Sequence, residues 1–481
     1  MTAERLKNYI GGEWTESSAA DVYEVRNPAN GELIGQTPLC GTEEVGAAVA
    51  AARGAFDDWR ATPVEDRVQH LYNLKFLFEK HVDELARIVT LENGKTTAEA
   101  HGSVRRGIQM IEVACGAPSL LMGQALEDIA TGIDCESVRQ PIGVFACIAP
   151  FNFPAMVPLW FYPFAVACGN TFVCKPSEQV PFSQKLAFEL IHEAGFPPGV
   201  LNLVQGGHDA VNALLDAPDI AGISFVGSSP VAEYVYRRGA ASGKRVQALG
   251  GAKNYIIVMP DADMDQALDA VAESAFGCAG ERCLAASVVV PVGGCHDEVR
   301  DGLIERARRI RVGDGAEQGV EMGPLISARH KDKVVGYIEE GVREGANLLV
   351  DGRQVDAGPD GNFVGPTLFD NVTPEMKIGS DEIFGPVLCI QPADNLDEAL
   401  DVTKRHPLAN ASSIFTSSGK SARTFRYRVD ASMAGVNIGV AAPMSFFGFG
   451  GAKGSFFGDL KAHGREAFDF YTDRKVVISR W

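Results

Sequence analysis

The feature that most constrains this chain is a repeated alternation of short apolar runs with longer segments of helical length. The runs 142–149, 171–174 and 221–226 are typical of buried strands, and segments long enough for helices separate them. Alternation of this kind builds βαβ units, in which helices cover parallel strands. A chain of 481 residues has room for two or three domains with large cores. The sequence therefore predicts an α/β protein of more than one domain.

The net charge of the chain and the prolines in its longest uncharged run limit the partners that it can bind. The chain has 44 Lys and Arg against 62 Asp and Glu, a formal net charge of −18. This acidity disfavours binding to nucleic acids or anionic membranes, although a few arginines can still make one pocket positive. The uncharged run 140–174 is long enough to cross a membrane, but prolines interrupt it repeatedly. With no apolar leader at the N-terminus, we expect a cytoplasmic protein that binds neither nucleic acid nor membrane.

The ten cysteines are scattered along the chain and form no CxxC pair. Histidines are not clustered near them. We therefore expect neither a metal site nor a framework of disulfides.

Two segments hold residues that suit covalent catalysis. Cys283 lies on a glycine-flanked turn, where a thiolate could act as a nucleophile. Asn152 lies among aromatic residues and prolines, where a fixed amide N–H could stabilise an oxyanion. Each residue also has an ordinary explanation. Most of the ten cysteines should be buried apolar residues, and an asparagine often bonds its own loop.

Other segments suit a dinucleotide. Lys175 and Glu178 follow a strand and could bind the hydroxyls of a ribose, while Gly227 and Ser228 join a strand to a helix, where N–H groups can meet a pyrophosphate. Glu382 precedes an aromatic residue and a Gly-Pro turn. A solvated ion pair, a common Gly-Ser turn and a capping acid are the ordinary alternatives.

In their order and spacing these segments resemble the aldehyde dehydrogenase superfamily over essentially the whole chain. The resemblance implies the fold of that family, with a Rossmann-like NAD domain, an α/β catalytic domain and a small β oligomerisation arm. The motifs that carry the resemblance are 150–154 (PFNFP), 175–178 (KPSE), 225–228 (FVGS), 249–251 (LGG), 282–283 (RC), 382–386 (EIFGP) and 449–455 (FGGAKGS).

The resemblance also implies a division of the chain. Residues 1–121 and 142–247 would bind NAD, and 248–445 would form the catalytic domain. Residues 122–141 and 446–481 would form the arm and C-terminal segment of a homodimer or homotetramer. The apolar strand at the C-terminus needs a partner strand, and the residues alone leave open whether it pairs across a subunit interface or within its own chain.

Residue by residue, the resemblance implies that Cys283 is the nucleophile that forms a thioester, and that its N–H and Asn152 form the oxyanion hole. Glu178 would repel a 2′-phosphate, which favours NAD over NADP. The implied cofactor-binding residues are Phe151, Lys175, Glu178, Gly227, Ser228, Glu382 and Phe384.

One departure from the general family concerns the fate of the acyl group. Hydrolytic members have a glutamate before the LGG segment, and this chain has Ala248. A methyl group cannot activate water, and a general base is worth about 10²–10⁴-fold in rate. A thiol acceptor needs no such base. This favours coenzyme A as co-substrate.

Further segments resemble the CoA-acylating branch of the superfamily, which oxidises and decarboxylates methylmalonate or malonate semialdehyde. They are 106–108 (RGI), 247–254 (QALGGAKN) and 455–460 (SFFGDL). In that branch Arg106 and Arg282 would bind the substrate carboxylate. Glu281 stands where glutamine is usual, and we expect an acid there to weaken the hold of Arg282 on an anion. Two alternatives stay open: a hydrolytic aldehyde dehydrogenase with Glu382 as a substitute base, and an inactive NAD-binding homologue.

Overall fold

The computed structural model describes residues 4–358 and 360–481, which form two large, mostly parallel sheets with helices packed on their faces. The strands are β1 (Glu4–Arg5), β2 (Asn8–Ile10), β3 (Glu13–Thr15), β4 (Val22–Arg26), β5 (Leu33–Pro38), β6 (Gln124–Ala130), β7 (Ile133–Pro141), β8 (Val144–Ile148), β9 (Thr171–Lys175), β10 (Leu201–Leu203), β11 (Ile220–Val226), β12 (Arg245–Leu249), β13 (Asn254–Val258), β14 (Ala286–Pro291), β15 (Asn347–Val350), β16 (Thr367–Asp370), β17 (Val387–Ile390), β18 (Leu408–Ala409), β19 (Ala411–Phe415), β20 (Met433–Val436), β21 (Ala452–Lys453), β22 (Phe456–Phe457) and β23 (Thr472–Arg480).

Helices connect most of the parallel strands, as the alternating sequence pattern predicts. They are α1 (Thr42–Ala61), α2 (Val64–Lys80), α3 (Val82–Asn93), α4 (Thr97–Cys115), α5 (Ala117–Leu120), α6 (Tyr162–Ala167), α7 (Phe182–Glu193), α8 (His208–Asp216), α9 (Ser229–Ala241), α10 (Met264–Phe276), α11 (His296–Arg309), α12 (Ala328–Arg343), α13 (Lys377–Ser380), α14 (Leu396–Arg405), α15 (Gly419–Arg428) and α16 (Gly464–Phe470).

The first large sheet has the strand order β22-β12-β11-β8-β9-β10-β2-β3, and the strands from β12 to β10 are parallel. The chain runs outward from β8 through β9 to β10 and then returns to place β11 and β12 on the other side of β8. The order therefore reverses between β8 and β11. In doubly wound sheets, ligands bind in the crevice at the carboxyl ends of the strands at such a switch point.

The second large sheet has the order β15-β16-β17-β14-β13-β19-β20, with β15 antiparallel to the rest. Its central strands are almost entirely buried and rich in β-branched residues, as parallel strands covered on both faces require. A separate apolar core, distinct from the core around the first sheet, packs against this sheet.

A small third sheet contains β6, β7 and β23. Strand β23 pairs antiparallel with β7 along its whole length, from Thr472 opposite Pro141 to Arg480 opposite Ile133. Of the two pairings that the sequence left open, the structure has the one within the chain. The role of this sheet as an oligomerisation arm stays a prediction.

The residue pattern of 261–279 predicts a helix capped by Asp261, but α10 begins later, at Met264, and ends earlier, at Phe276. Asp263 rather than Asp261 caps α10, because its carboxylate accepts from the Gln266 N–H at 3.2 Å. Asp261 instead accepts a hydrogen bond from the Thr416 hydroxyl at 2.8 Å. After α10 the chain turns through residues 277–280, where three consecutive residues have φ between 51° and 71°.

In the described part of the chain, no helix combines the length and the hydropathy needed to cross a membrane. Nor do residues 4–358 and 360–481 bring together three or more His, Cys, Asp or Glu side chains in a metal-binding arrangement.

Candidate active site

The candidate residues converge because two sheet edges meet. In the first sheet, β8, β9 and β11 are parallel and their carboxyl ends lead to Asn152, Lys175 and Gly227 respectively. In the second sheet, neighbouring parallel strands begin just after Glu382 (β17) and Cys283 (β14). Parallel order thus collects residues from distant parts of the sequence at one cleft.

Cys283 is held by the side chains of two asparagines. Asn254 Nδ2 and Asn410 Nδ2 both donate to the Cys283 carbonyl, at 3.0 and 2.9 Å. Both asparagines lie at the starts of strands that pair with each other, β13 and β19. Burial, together with the nearby carboxyl of Glu382, raises the pKa of the Cys283 thiol to about 12. The thiol therefore needs help from bound groups to ionise.

Asn152 is buried, and its amide points toward the cysteine loop. Asn152 Nδ2 donates to the Glu281 carbonyl at 3.0 Å. The ammonium of Lys95 donates to the Asn152 carbonyl at 2.6 Å and to Asn93 Oδ1 at 2.7 Å, and Asn93 in turn donates to the Phe151 carbonyl at 3.0 Å. The amide group is fixed by this network and retains a second N–H for an oxyanion.

Sequence reasoning missed Lys95, Asn93, Asn254 and Asn410. Lys95 follows helix α3 and Gly94, where a lysine usually extends into water, yet it is only 3% exposed. Asn254 follows the LGG motif closely, but that motif assigns it no role. Polar residues of these types give no sign of burial in a sequence, because what buries them is a second sheet far away in the chain.

The residues predicted for the adenosine end lie beside the switch point. Lys175 Nζ is 3.4 Å from Glu178 Oε2, with Lys175 buried and Glu178 partly exposed. Ser228 is the N-cap residue of α9, whose first N–H groups have no partner within the helix. At Gly227 a Cβ would lie 2.5 Å from the Phe225 ring, so glycine is needed for the backbone to pass this close to the ring.

The residues predicted for the nicotinamide end also meet. Glu382 Oε1 accepts from the Ala252 N–H at 2.8 Å, and burial raises the pKa of this carboxyl to about 7. A Cβ at Gly251 would lie 2.1 Å from Glu382 Oε2, so only glycine admits this contact. The Phe384 ring packs edge-on against Phe151, with centroids 5.9 Å apart.

A cavity of about 850 Å³ joins the two ends, because both Glu178 and Phe151 line it. Glu178 offers this cavity a carboxylate for a ribose, and Phe151 an aromatic wall. The N-terminus of α9, whose first N–H groups lack helical partners, follows β11 at the same edge of the sheet. This donor set fits a dinucleotide of the NAD type. Of the residues predicted for the cofactor, Phe151 and Glu178 line the cavity itself.

A second open cavity, of about 530 Å³, has Cys283 in its wall. Arg106 and Arg282 line it together, as predicted for a substrate with a carboxylate. Arg106 has no ion-pair partner among the described residues, and its nearest polar contact is Met444 Sδ at 3.7 Å. The apolar residues that line the rest include Met110, Phe153, Met156, Trp160, Leu284, Val440 and Phe449.

Arg282 and Glu281 do not interact in the way the sequence suggested. Arg282 Nη2 lies 3.4 Å from Glu99 Oε1, and Arg282 Nε lies 3.2 Å from Cys278 Sγ. The Glu281 side chain turns away, buried, with its Oε1 accepting from the Ile326 N–H at 3.2 Å. The expectation that the Glu281 carboxyl would weaken the hold of Arg282 on an anion is wrong, because the side chains of these adjacent residues point in different directions. Glu99 is the acid beside Arg282.

Comparison with known proteins identifies the family. The profile of the aldehyde dehydrogenase family matches residues 14–477. The chain belongs to the aldehyde dehydrogenase family. The fold and the superfamily resemblance predicted from the sequence are both confirmed.

Relatives of this aldehyde dehydrogenase are similar over their full length. Malonate-semialdehyde dehydrogenase 2 of Geobacillus kaustophilus is 53% identical over 479 residues, 99% of each chain. The malonate-semialdehyde dehydrogenase of Halalkalibacterium halodurans is 51% identical over 480 residues, 100% of this chain and 99% of the relative.

Two solved structures have nearly the same fold as this chain over its whole length. A methylmalonate-semialdehyde dehydrogenase from Oceanimonas doudoroffii has a TM-score of 0.98 and 45% identity, covering 100% of this chain and 99% of the other. A protein of Sinorhizobium meliloti 1021, provisionally described under the same enzyme name and solved in complex with NAD, has a TM-score of 0.98 and 41% identity, covering 100% and 98%.

Within this aldehyde dehydrogenase, Ala248 stands at the position for which the family resemblance implies a glutamate in hydrolytic members. It is fully buried on β12, opposite Phe225 of β11 and Phe457 of β22. Hydrocarbon surrounds it and no ionisable group stands in its place. Glu382 is the carboxyl whose charge bears most directly on Cys283.

Proposed function

We propose that this aldehyde dehydrogenase oxidises malonate or methylmalonate semialdehyde with NAD and transfers the decarboxylated acyl group to coenzyme A. The products are acetyl-CoA or propionyl-CoA. The observation that carries the proposal is one cavity that combines the Cys283 thiol with Arg106 and Arg282. The alanine at position 248, which cannot act as a base, agrees with it. The names of relatives more than 50% identical over the whole chain support the substrate class.

In the first half-reaction, Cys283 attacks the aldehyde carbon as a thiolate, and the carbonyl oxygen becomes an oxyanion. The free N–H of Asn152 and the Cys283 N–H stabilise this charge. Asn254 and Asn410 fix the peptide that carries the cysteine, and Glu382 holds the nicotinamide ribose. NAD, when bound, supplies a hydride acceptor. Cys283 then carries the oxidised acyl group as a thioester.

Arg106 and Arg282 bind the substrate carboxylate and orient it away from the sulfur. When CO₂ leaves, the electron pair of the broken C–C bond forms an enolate on the thioester carbonyl, and the same two N–H donors stabilise it. Protonation at carbon gives the shortened acyl group. The CoA thiol, as a thiolate, then attacks the thioester carbonyl and releases Cys283. This step needs no protein base to activate water, which fits Ala248.

The decisive assay mixes the protein with NAD and malonate semialdehyde, with and without CoA, and follows NADH and the acyl product. Steady NADH formation that requires CoA, with acetyl-CoA as product, is expected. Steady NADH formation without CoA, with free acid accumulating, would overturn the thiolysis step and favour a hydrolytic enzyme. Absence of even a single burst of NADH would favour an inactive homologue.

We also propose that the protein works in the cytoplasm as a homodimer or homotetramer. The sheet of β6, β7 and β23 supports the assembly, because it exposes apolar side chains in a row. Val476 and Ile478 are 61% and 67% exposed, and Leu126 on β6 is 64% exposed. Apolar strands at a sheet edge are normally covered by a partner.

A further inference from the structure

Glu281 connects the oxyanion hole to the wall of the nicotinamide site. Its main-chain carbonyl accepts from Asn152 Nδ2 at 3.0 Å, and its carboxyl Oε1 lies 3.5 Å from His330 Nε2. The side chain is almost completely buried. One residue therefore contacts the amide that stabilises the oxyanion and a histidine on α12.

His330 in turn holds Phe384. The distance from His330 Nε2 to the Phe384 carbonyl oxygen is 2.7 Å. Because a carbonyl oxygen can only accept, Nε2 carries the proton, and the imidazole is an N–H donor toward Phe384. Phe384 has φ of 61°, a left-handed conformation that is unfavourable for a residue with a side chain. The hydrogen bond from His330 stabilises this conformation of the nicotinamide-site wall.

The carboxyl of Glu281 and the carbonyl of Phe384 are thus alternative acceptors for one N–H. A neutral carboxyl leaves the proton of His330 with Phe384. An ionised carboxylate is a stronger acceptor and attracts that N–H. The main-chain carbonyl of Glu281 bonds the Asn152 amide. Ionisation of the Glu281 side chain would therefore add a negative charge on the residue that contacts the oxyanion-hole donor, two positions before Cys283 in the sequence.

The charged groups around Glu281 give little compensation for such a charge. Lys95 faces it from the loop after α3, but its ammonium already bonds Asn93 and Asn152. On α12 lie His330, the only group of the described residues within ion-pair distance, and Lys333 beside it. On its own loop Arg282 turns to Glu99. Burial raises the pKa of Glu281 above its ordinary value, and the Ile326 N–H, which donates to its carboxyl at 3.2 Å, offsets part of that rise.

We propose that Glu281 is a positioning residue that works as a neutral acid: while protonated, it leaves His330 bound to Phe384 and spares the Cys283 thiolate a neighbouring negative charge. Its ionisation loosens the nicotinamide wall and disfavours the nucleophile. The roles of Phe384 and Cys283 in this proposal rest on the proposed function. The proposal adds that activity falls at alkaline pH, and that Glu281→Gln removes this fall.

The test compares the wild-type enzyme with Glu281→Gln, which keeps the shape and removes the titration. Iodoacetamide alkylation of Cys283, followed by peptide mass without substrate or NAD, reports the thiolate from about pH 6.5 to about pH 9.5. The two rates should coincide below about pH 7, and E281Q should react about tenfold faster above about pH 8.5, equivalent to about one unit of thiol pKa. A constant ratio across the range would overturn the proposal.

NADH binding, measured by the fluorescence of NADH, tests the part of the proposal that concerns the nicotinamide site. Wild-type affinity should fall several-fold between about pH 6.5 and about pH 9, whereas E281Q should bind equally at both. His330→Ala should bind weakly at every pH if it acts as proposed. Parallel profiles for wild type and E281Q would contradict the coupling. These readouts need no turnover. Failure to oxidise malonate semialdehyde would therefore refute the proposed function and leave this comparison to decide on Glu281.

Discussion

The ammonium of Lys95 lies 2.6 Å from the main-chain carbonyl of Asn152, so a buried cation fixes the loop that carries the amide proposed for the oxyanion hole. Lys95 also binds Asn93, and its Nζ lies 4.5 Å from the centre of the Phe153 ring. The lysine therefore positions three consecutive residues of this loop through one ammonium group and its partner.

Replacing Lys95 by methionine should slow acylation by about 10–100-fold, because the donor of Asn152 is no longer held at the oxyanion. Stopped-flow measurement of the first NADH turnover tests this. Asn93→Ala, which removes only the outer part of the network, should slow acylation less than the Lys95 replacement. An unchanged burst rate in K95M would show that the loop holds its geometry without the cation.

Arg106→Leu should reduce kcat/KM for malonate semialdehyde by about 10–100-fold, since a hydrogen bond to a charged group is worth roughly 1.5–3 kcal/mol. Propanal, which has no carboxylate, should be affected much less. Arg105→Leu is the matched control, because Arg105 is exposed on the same helix and does not line the cavity. Equal losses for both aldehydes would argue against a carboxylate contact.

Ala248→Glu should create turnover without CoA, because a carboxylate at this position can activate water; an increase of about 10²-fold is the lower range for a general base. The readout is free acid formed with NAD and malonate semialdehyde alone. A fall in the melting temperature should accompany it, since Ala248 is packed between phenylalanines on neighbouring strands. If the folded variant still requires CoA, the absence of glutamate is not what directs the acyl group.

Lowering the pH through about 7 should weaken NAD binding. The pKa of Glu382 is raised to about 7 by burial, so the carboxylate that accepts from the ribose becomes protonated below that pH. The KM for NAD should rise on the acid side in the wild type. Glu382→Gln should have a high KM throughout and lose this dependence. A wild-type KM that is flat between about pH 6 and about pH 8 would exclude Glu382 as the titrating contact.

Ile478→Asp should shift the protein toward monomers, because a charge in a row of exposed apolar side chains cannot be buried in an interface without a large cost. Light scattering coupled to gel filtration measures the mass. Lys475→Asp, at an exposed position on the same strand, is the control for charge alone. A wild-type protein that is itself monomeric would refute the assembly.

The fold class and the candidate site residues follow from the sequence alone; the fold class is confirmed, and the roles of the site residues stay predictions. The order of strand-like runs and motifs such as KPSE and EIFGP identified the family, because βαβ patterning and short backbone-dependent motifs are local properties. The sequence names Cys283, Asn152, Glu382 and the two arginines as candidates. In the structure Cys283 and both arginines line one cavity, Asn152 bonds the loop that carries Cys283, and the Glu382 carboxyl helps to raise the pKa of the Cys283 thiol.

Only the tertiary structure decided what surrounds these residues. It turned Glu281 away from Arg282 and toward His330, paired β23 with β7 of the same chain, and buried Lys95 behind Asn152. The partners in these contacts are separated by tens to hundreds of residues. No local pattern records them, because burial and direction depend on how two sheets meet, and that is set by packing over the whole chain.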